Sequence, residues 1–182
     1  KIINKDEQPF KANLEKIPQL KPAFRKNGTV TAANSSSISD GAATVILMKE
    51  STADKKGIKP LAKIVAHSTN SHEPNWFTTA PIGAISKVLD KSGWKKTDID
   101  LFEVNEAFAV VPMAVMKELS ISKEILNING GACALGHPVG ASGARIVATL
   151  INSLKSKNLK RGIASLCIGG GEATAMSLEL ID

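Results

Sequence analysis

Tyrosine is absent from this 182-residue sequence, and cysteine and the other aromatic residues are scarce. There are two cysteines, two tryptophans and five phenylalanines. Two cysteines cannot form a disulfide framework, which argues against a small disulfide-stabilised secreted domain. The few aromatic residues do not alternate with basic ones, so the sequence offers no stacking platform for a nucleic acid, and we expect no nucleic-acid partner.

Long hydrophobic runs are also missing. The longest apolar run covers residues 107–116, well short of the ~18 residues that span a bilayer, so no membrane association is expected. The first residues show no signal-peptide pattern, and a reducing cytoplasm is the expected location. The three histidines are scattered at His67, His72 and His137, and no spacing of Cys or His indicates a metal site.

What the sequence does contain is a regular alternation of predicted strands and helices. A hydrophobic fraction of 43% and a charged fraction of 22% are ordinary for a globular domain. Strands are predicted at 43–48, 61–68, 99–104, 162–168 and 174–180, and helices at 51–56, 81–92, 107–116 and from 142 onward. This order, with two consecutive strands at the end, predicts an α/β fold with a mixed sheet.

The predicted helix at 107–116 is unusual because it is apolar on every side. A single sheet covers only one face of a helix, so the other face requires a second layer. Pro112 lies within the segment and predicts that the helix either kinks or starts there. The covering layer need not be encoded in this chain.

Three segments combine small residues with side chains that can perform chemistry. They are Asn-Glu-Ala-Phe-Ala at 105–109, the glycine-rich segment at 130–143, and Cys-Ile-Gly-Gly-Gly at 167–171. Ligands of α/β proteins collect where strands end and helices begin. Asn105 and Cys167 lie at predicted strand ends and His137 precedes a predicted helix, so we expect the three side chains to meet at one site.

Each of these side chains suits catalysis and also has a purely structural interpretation. His137 suits general base catalysis or oxyanion stabilisation, or it occupies a tight turn. The thiol of Cys167 suits proton transfer or attack on a thioester, or it fills a buried strand. The amide of Asn105 suits binding of a water or a carbonyl oxygen, or it caps a helix. Cys133 is interpreted as a small apolar filler in a loop of glycine and alanine.

Taken together, the three segments resemble the C-terminal motifs of the thiolase family in their order and spacing. The small-residue loop at 34–42 resembles the loop where the C-terminal half of that family begins. The resemblance covers essentially the whole chain. It implies that 25–182 form a C-terminal thiolase domain, with a mixed five-stranded sheet flanked by helices in the order βαβαβαββ, and that 1–24 are the tail of a loop domain over the coenzyme A site. A missing N-terminal half would supply the layer over 107–116.

The resemblance also implies an activity and residue roles. Thiolases of the best-matching kind condense two acetyl-CoA into acetoacetyl-CoA, or run the reverse thiolysis, as homo-oligomers with no cofactor beyond the coenzyme A thioester substrate. By this resemblance His137 activates the nucleophile and binds the thioester oxygen, and Asn105 holds a water beside it. Cys167 moves the α-proton, and the Gly169 N–H serves a second oxyanion hole. Substrate contacts are implied for three further residues, Ser36, Ala107 and Phe108.

The sequence departs from the family in ways that matter for activity. The acyl-accepting cysteine of thiolases lies in the N-terminal half, and neither Cys133 nor Cys167 occupies its motif. The chain therefore resembles a fragment that is inactive alone. Smaller departures are Ser37, where glycine is common, and Pro112.

Two other interpretations remain open from the sequence. One is another enzyme with the thiolase fold, either a 3-ketoacyl-CoA thiolase or a ketoacyl synthase. Ketoacyl synthases use a second histidine where this chain has Asn105, which disfavours them. The other is a non-catalytic coenzyme A-binding module, and the retained site residues argue against it.

Overall fold

A computed structural model describes residues 2, 4–6, 10 and 12–181. Its α-helices in this part of the chain are α1 (Glu50–Lys56), α2 (Ala80–Ser92), α3 (Val110–Leu119), α4 (Ala132–Leu135) and α5 (Ser142–Lys157). Its strands are β1 (Ala62–Ser71), β2 (Leu101–Val104), β3 (Arg161–Ile168) and β4 (Glu172–Leu180). Short 3₁₀ turns lie at Leu14–Gln19, Ala32–Asn34, Pro74–Thr79, Lys96–Asp98 and Lys123–Ile125. The predicted loop-domain tail at 1–24 lies partly outside the described residues.

The strands form one mixed sheet in the order β1-β4-β3-β2. Strands β3 and β4 pair antiparallel through a tight turn, in which Gly171 has a φ of +97° that favours glycine. β1 pairs antiparallel with β4 at one edge, and β2 pairs parallel with β3 at the other. The parallel pair needs a long crossover, and the chain supplies it as α3, α4 and α5.

The predicted fifth strand at 43–48 is not part of this sheet. Within the described residues, the segment has no regular secondary structure and pairs with none of the four strands. Ile46 and Leu47 are 83% and 70% exposed. An extended apolar segment becomes a strand only when a neighbouring strand satisfies its backbone groups. The prediction of a five-stranded sheet was therefore wrong, because the residues that the structure describes form a sheet of four strands.

The two faces of the sheet carry different helices. Helices α2 and α3 pack on one face, where Ile85, Val88, Val111 and Val115 are fully buried against strand residues such as Phe102. Helix α5 covers the other face. Its inward side chains pack against three strand residues. The side chains from α5 are Ile146, Leu150 and Leu154, and those from the strands are Leu101, Ala164 and Leu178.

Helix α3 is covered on one side only, as the apolar segment at 107–116 predicted for a chain without a second layer. Val111 and Val115 are fully buried, whereas Val110 and Met113 are 44% and 58% exposed. The helix begins at Val110, so Pro112 lies in its first turn, where an N–H needs no helical partner. None of the helices in the described part of the chain is long and apolar enough to cross a membrane.

Candidate active site

His137 lies in a loop between α4 and α5, and a second loop holds it there. Its backbone N–H donates to the carbonyl of Ser37 at 2.8 Å, and its neighbour Gly136 has a φ of +93°. A Cβ at Gly136 would collide with the hydroxyl of Ser39. The close crossing of these two loops therefore requires glycine at 136, and it fixes the backbone from which the imidazole projects.

The contacts of the imidazole define which nitrogen carries the proton. Nδ1 of His137 lies 2.6 Å from Oγ of Ser142, the first residue of α5. Only that hydroxyl can donate in its contact with the carbonyl of Pro138, 3.1 Å away, and its single proton is then used there. On this ground we assign the imidazole proton to Nδ1, which donates to Ser142. The neutral imidazole consequently carries its lone pair on Nε2. Burial, with a smaller contribution from the Arg145 charge, lowers the pKa of His137 below its ordinary 6.5 and favours this neutral form.

Asn105 faces that lone pair. Its Nδ2 lies 3.4 Å from Nε2 of His137, and its Oδ1 accepts from Nη2 of Arg145 at 3.0 Å. The backbone N–H of Asn105 bonds to the carbonyl of Ser165 at 2.9 Å, which places the residue just past the end of β2. Because α3 begins only at Val110, Asn105 does not cap a helix. Its side chain, in a residue 1% exposed, is instead committed to His137 and Arg145.

A buried carboxylate and guanidinium lie behind Asn105. Oε2 of Glu103 is 3.9 Å from Nη1 of Arg145, with side chains 3% and 19% exposed. Burial raises the pKa of Glu103 to about 7, although the Arg145 charge opposes the rise. Burial also lowers the pKa of Arg145, while Glu103 and Glu106 oppose that shift. Arg145 remains the cation of the site because an arginine stays protonated even when perturbed.

Glu106 ties the glycine-rich loop to the end of β2. Its carboxylate accepts from Nδ2 of Asn127 at 3.2 Å and from the backbone N–H of Cys133 at 3.0 Å. Gly131 packs directly against it, since a Cβ there would lie 2.5 Å from the carboxylate carbon. Burial and then the Glu106 charge raise the pKa of Cys133 to about 11, so this thiol is protonated at neutral pH. That state fits the interpretation of Cys133 as a filler.

Cys167 lies near the end of β3 in the hydrophobic cluster under α2 and α3. It is 7% exposed, and burial raises the pKa of its thiol to about 11. In the described part of the chain no hydrogen bond links its Sγ to His137 or Asn105. The structure thus brings His137 and Asn105 together, and the sharing of their site by Cys167 stays a prediction. Gly169 lies in the exposed turn after β3, with open space where a Cβ would stand.

The three residues predicted to contact substrate lie together. Ser36 donates from both its backbone N–H and its hydroxyl to the carbonyl of Ala107, at 3.1 and 2.9 Å. The ring of Phe108 packs edge-on against Phe24 and Phe77, with centroids 5.7 and 6.3 Å away. The loop at 34–42 is therefore joined to the segment that follows β2, beside His137 and Asn105.

Sequence reasoning missed three residues that shape this site. Ser142 is the first residue of α5, which Ala141 precedes at the cap position, and the Ser142 hydroxyl contacts His137. Glu103 and Arg145 were not singled out at all. The available signal was a charged residue within the strand segment 99–104, where burial of a carboxylate requires a partner.

Two family models match the chain. The family model described as "Thiolase, C-terminal domain" matches residues 58–180, and the one described as "Thiolase, N-terminal domain" matches residues 1–51. The chain belongs to the thiolase family. The two matches meet between 51 and 58, and the boundary at 24/25 stays a prediction from the motifs.

Among curated relatives, a probable acetyl-CoA acetyltransferase of Dictyostelium discoideum is 54% identical over 97% of this chain and 43% of its own length. The cytosolic acetyl-CoA acetyltransferase of Mus musculus is 50% identical over 92% of this chain, again with 43% of its length covered. The chain therefore spans less than half the length of these relatives.

Solved structures likewise match nearly the whole of this chain and less than half of their own length. The Bacillus anthracis acetyl-CoA acetyltransferase superimposes with a TM-score of 0.93 at 48% identity, covering 97% of this chain and 45% of that one. The Acat5 thiolase of Ascaris suum, solved with coenzyme A, superimposes with a TM-score of 0.89 at 42% identity, covering 98% and 47%.

Proposed function

We propose that the chain is the C-terminal part of an acetyl-CoA C-acetyltransferase, which condenses two acetyl-CoA into acetoacetyl-CoA or runs the reverse thiolysis. The observation that carries the proposal is the pair formed by His137 and Asn105. A neutral imidazole presents its Nε2 lone pair to the amide donor of Asn105, just past the end of a strand. The names of the relatives support the same reaction.

His137 serves as the base that activates a thiol nucleophile. The lowered pKa keeps the imidazole unprotonated at neutral pH, and Nε2 is the nitrogen presented to the site. Once protonated, the same Nε2–H becomes a donor to a thioester oxygen. The Nδ2 amide of Asn105, 3.4 Å away, supports that oxyanion directly or through a water.

Cys167 carries the α-proton of the second acetyl group. Because burial raises the pKa of its thiol to about 11, the resting form is the thiol, which suits the step that returns a proton. Acting as a base requires that the thiol first lose its proton to another group of the site. The backbone N–H of Gly169, in the exposed turn after β3, is assigned to the second oxyanion hole.

Ser36, Ala107 and Phe108 are assigned to the pantetheine arm of coenzyme A. The Ser36 hydroxyl donates to Ala107, so its oxygen is left to accept from a pantetheine amide. Ala107 and Phe108 offer small and aromatic apolar surface beside it. The thioester is the substrate, and no resident cofactor is required for this chemistry.

The partner proposed for the bare surfaces is the N-terminal part of the same protein. Both the exposed side of α3 and the segment at 43–48 are apolar, and relatives are more than twice as long. That part would also carry the acyl-accepting cysteine. The intact protein is proposed to be a homo-oligomer in the cytosol, which the name of the mouse relative supports for location.

The test uses the full-length protein with acetyl-CoA as the only substrate. Release of free coenzyme A and formation of acetoacetyl-CoA are followed by mass spectrometry. Acetyl-CoA turnover supports the proposal. A protein that binds acetyl-CoA without turnover is a binding module, and one that cleaves only long 3-ketoacyl-CoA is a different thiolase.

A further inference from the structure

The orientation of the Asn105 amide decides what the site presents to a substrate. The two ends of an asparagine amide have nearly the same shape, and hydrogen bonds alone decide which end points where. In this residue, which is 1% exposed, Oδ1 lies 3.0 Å from Nη2 of Arg145 and Nδ2 lies 3.4 Å from Nε2 of His137. Because the residue is buried, water has little access to form hydrogen bonds that would compensate for the wrong orientation of the amide.

An arginine allows only one of the two orientations. A guanidinium has five N–H donors and no acceptor, so the atom of Asn105 that faces it has to be Oδ1. The flipped amide would set N–H against N–H at Arg145. It would also set Oδ1 against the Nε2 lone pair of His137, so both ends would be mismatched.

The position of Arg145 follows from two elements that also build the site. Arg145 lies three residues after Ser142 in α5, so the two side chains share one face of the helix. Ser142 contacts His137 and Arg145 contacts Asn105. Glu103 lies on β2, two residues before Asn105, and places Oε2 3.9 Å from Nη1 of Arg145.

We propose that Arg145, held by Glu103, is a positioning residue that fixes the Asn105 amide with its Nδ2–H donors toward His137. It acts through Asn105 and does not touch the substrate. Through the same contact it stabilises the Nδ1–H tautomer of His137, since Nδ2–H is matched by a lone pair on Nε2. The kinetic part of this inference rests on the proposed function, and the tautomer part does not.

The kinetic test compares substitutions of Arg145 in the full-length protein. Arg145→Gln introduces a group that can donate or accept, so it no longer selects one amide orientation. We expect kcat to fall about 10- to 100-fold with KM within about threefold, the scale of misplacing a catalytic group. Arg145→Lys keeps a donor-only cation and should retain most of kcat. Arg161→Gln is the matched control, because it removes an arginine paired with Glu179 away from the site.

A double-mutant cycle separates positioning from a general structural effect. In an Asn105→Ala background there is no amide to orient, so Arg145→Gln should lower kcat by less than about twofold further. An undiminished second loss in that background would overturn the proposal. If Arg145→Gln leaves too little folded protein because Glu103 loses its partner, Glu103→Gln/Arg145→Gln removes both charges and is used in its place.

The tautomer of His137 provides a readout that needs no activity. Ring ¹⁵N-histidine labelling reports which nitrogen carries the proton, and the His137 signal is assigned by its loss in His137→Asn. We expect Nδ1–H in the unmodified protein and in Arg145→Lys, and a rise of Nε2–H in Arg145→Gln. An unchanged tautomer in Arg145→Gln contradicts the proposal whether or not the protein proves to be a thiolase. A protein with the expected tautomer shift but no acetyl-CoA turnover contradicts only the proposed function.

Discussion

Helices α3 and α5 both belong to the crossover between β2 and β3, yet they are covered to different degrees. Helix α5 buries Ile146, Leu150 and Leu154 against the sheet, and charged residues such as Lys155 face outward. Helix α3 buries Val111 but leaves Met113 58% exposed on its outer side. An amphipathic helix has all of its apolar surface buried once one face is covered, whereas a helix that is apolar all round still exposes apolar surface.

The polar site is held by α5, the helix whose apolar face is covered. Ser142 and Arg145 of α5 hold His137 and Asn105, and those contacts are all formed within the described chain. The bare side of α3 borders a cleft of about 950 Å³ between α2 and α3, which none of these four residues lines. The chain thus contains a hydrogen-bonded polar site held by α5 and an apolar side of α3 that nothing in the described chain covers. The following predictions test these two regions separately.

The largest effect is expected on acetyl-CoA turnover when the N-terminal part is absent. We expect the 182-residue chain alone to form no acetoacetyl-CoA from acetyl-CoA, because the covalent step needs a nucleophile that neither Cys133 nor Cys167 supplies. Both thiols have a pKa raised to about 11 by burial, and thiols do not attack as thiolates do. Release of coenzyme A and the intact mass of the chain are measured. Sustained turnover with an acetyl group on either cysteine would show that the chain is catalytically complete.

The next largest effect is expected from the polar site held by α5. His137→Ala in the full-length protein should lower turnover by about 10²- to 10⁴-fold through loss of the base. His67→Ala is the matched control, since His67 is exposed on β1. The lowered pKa of His137 also sets a direction with pH, because the neutral imidazole persists below 6.5. The acid-side fall in kcat/KM should therefore lie below the ordinary histidine range, and a fall centred above it would contradict the assignment.

The sequence predicted the frame of the molecule well because periodicity and turn residues are local signals. Helices at 81–92 and from 142, and strands near 162–168 and 174–180, agree with α2, α5, β3 and β4 within a few residues. The strand at 43–48 failed because a strand is defined by its partner, and the sequence of one segment does not encode the presence of that partner.

The site was predictable where a motif marked it and not where burial created it. Asn105 and His137 stood beside glycines and element ends, and the structure places them in contact. Arg145 lies outside the three segments that the sequence marked, and only the packing of α5 on β2 brings it beside Glu103 and Asn105. Tertiary pairing of charges is a non-local property that no spacing rule reports.

A smaller effect is expected from the buried Glu103 of the polar site, on the pH dependence of stability. The pKa of Glu103 is raised from 4.5 to about 7, so the folded protein holds this proton more tightly than the unfolded chain does. The free energy of unfolding should therefore fall as pH rises from about 4.5 to about 7, by on the order of 1–3 kcal/mol. Urea unfolding across this range measures the slope.

Glu103→Gln cannot titrate and should flatten that slope. Glu124→Gln provides the control, because Glu124 is exposed and should leave the slope unchanged. If the slope of Glu103→Gln equals that of the unmodified chain, the carboxylate is already ionised across the range and the burial argument for Glu103 is wrong.

The smallest effect compares the two sides of α3 directly. In the 182-residue chain, Val115→Ala should lower the free energy of unfolding by about 2 kcal/mol, because it removes two buried carbon atoms and leaves a cavity. Met113→Ala should change it by less than about 0.5 kcal/mol, since that side chain is largely exposed and has little contact to lose. In the full-length protein the difference should shrink, because a covering layer would bury Met113 as well. Urea midpoints of both variants in both proteins give the comparison. A large loss from Met113→Ala already in the short chain would mean that this side of α3 is covered by self-association, and that the layer it needs is a second copy of the same chain.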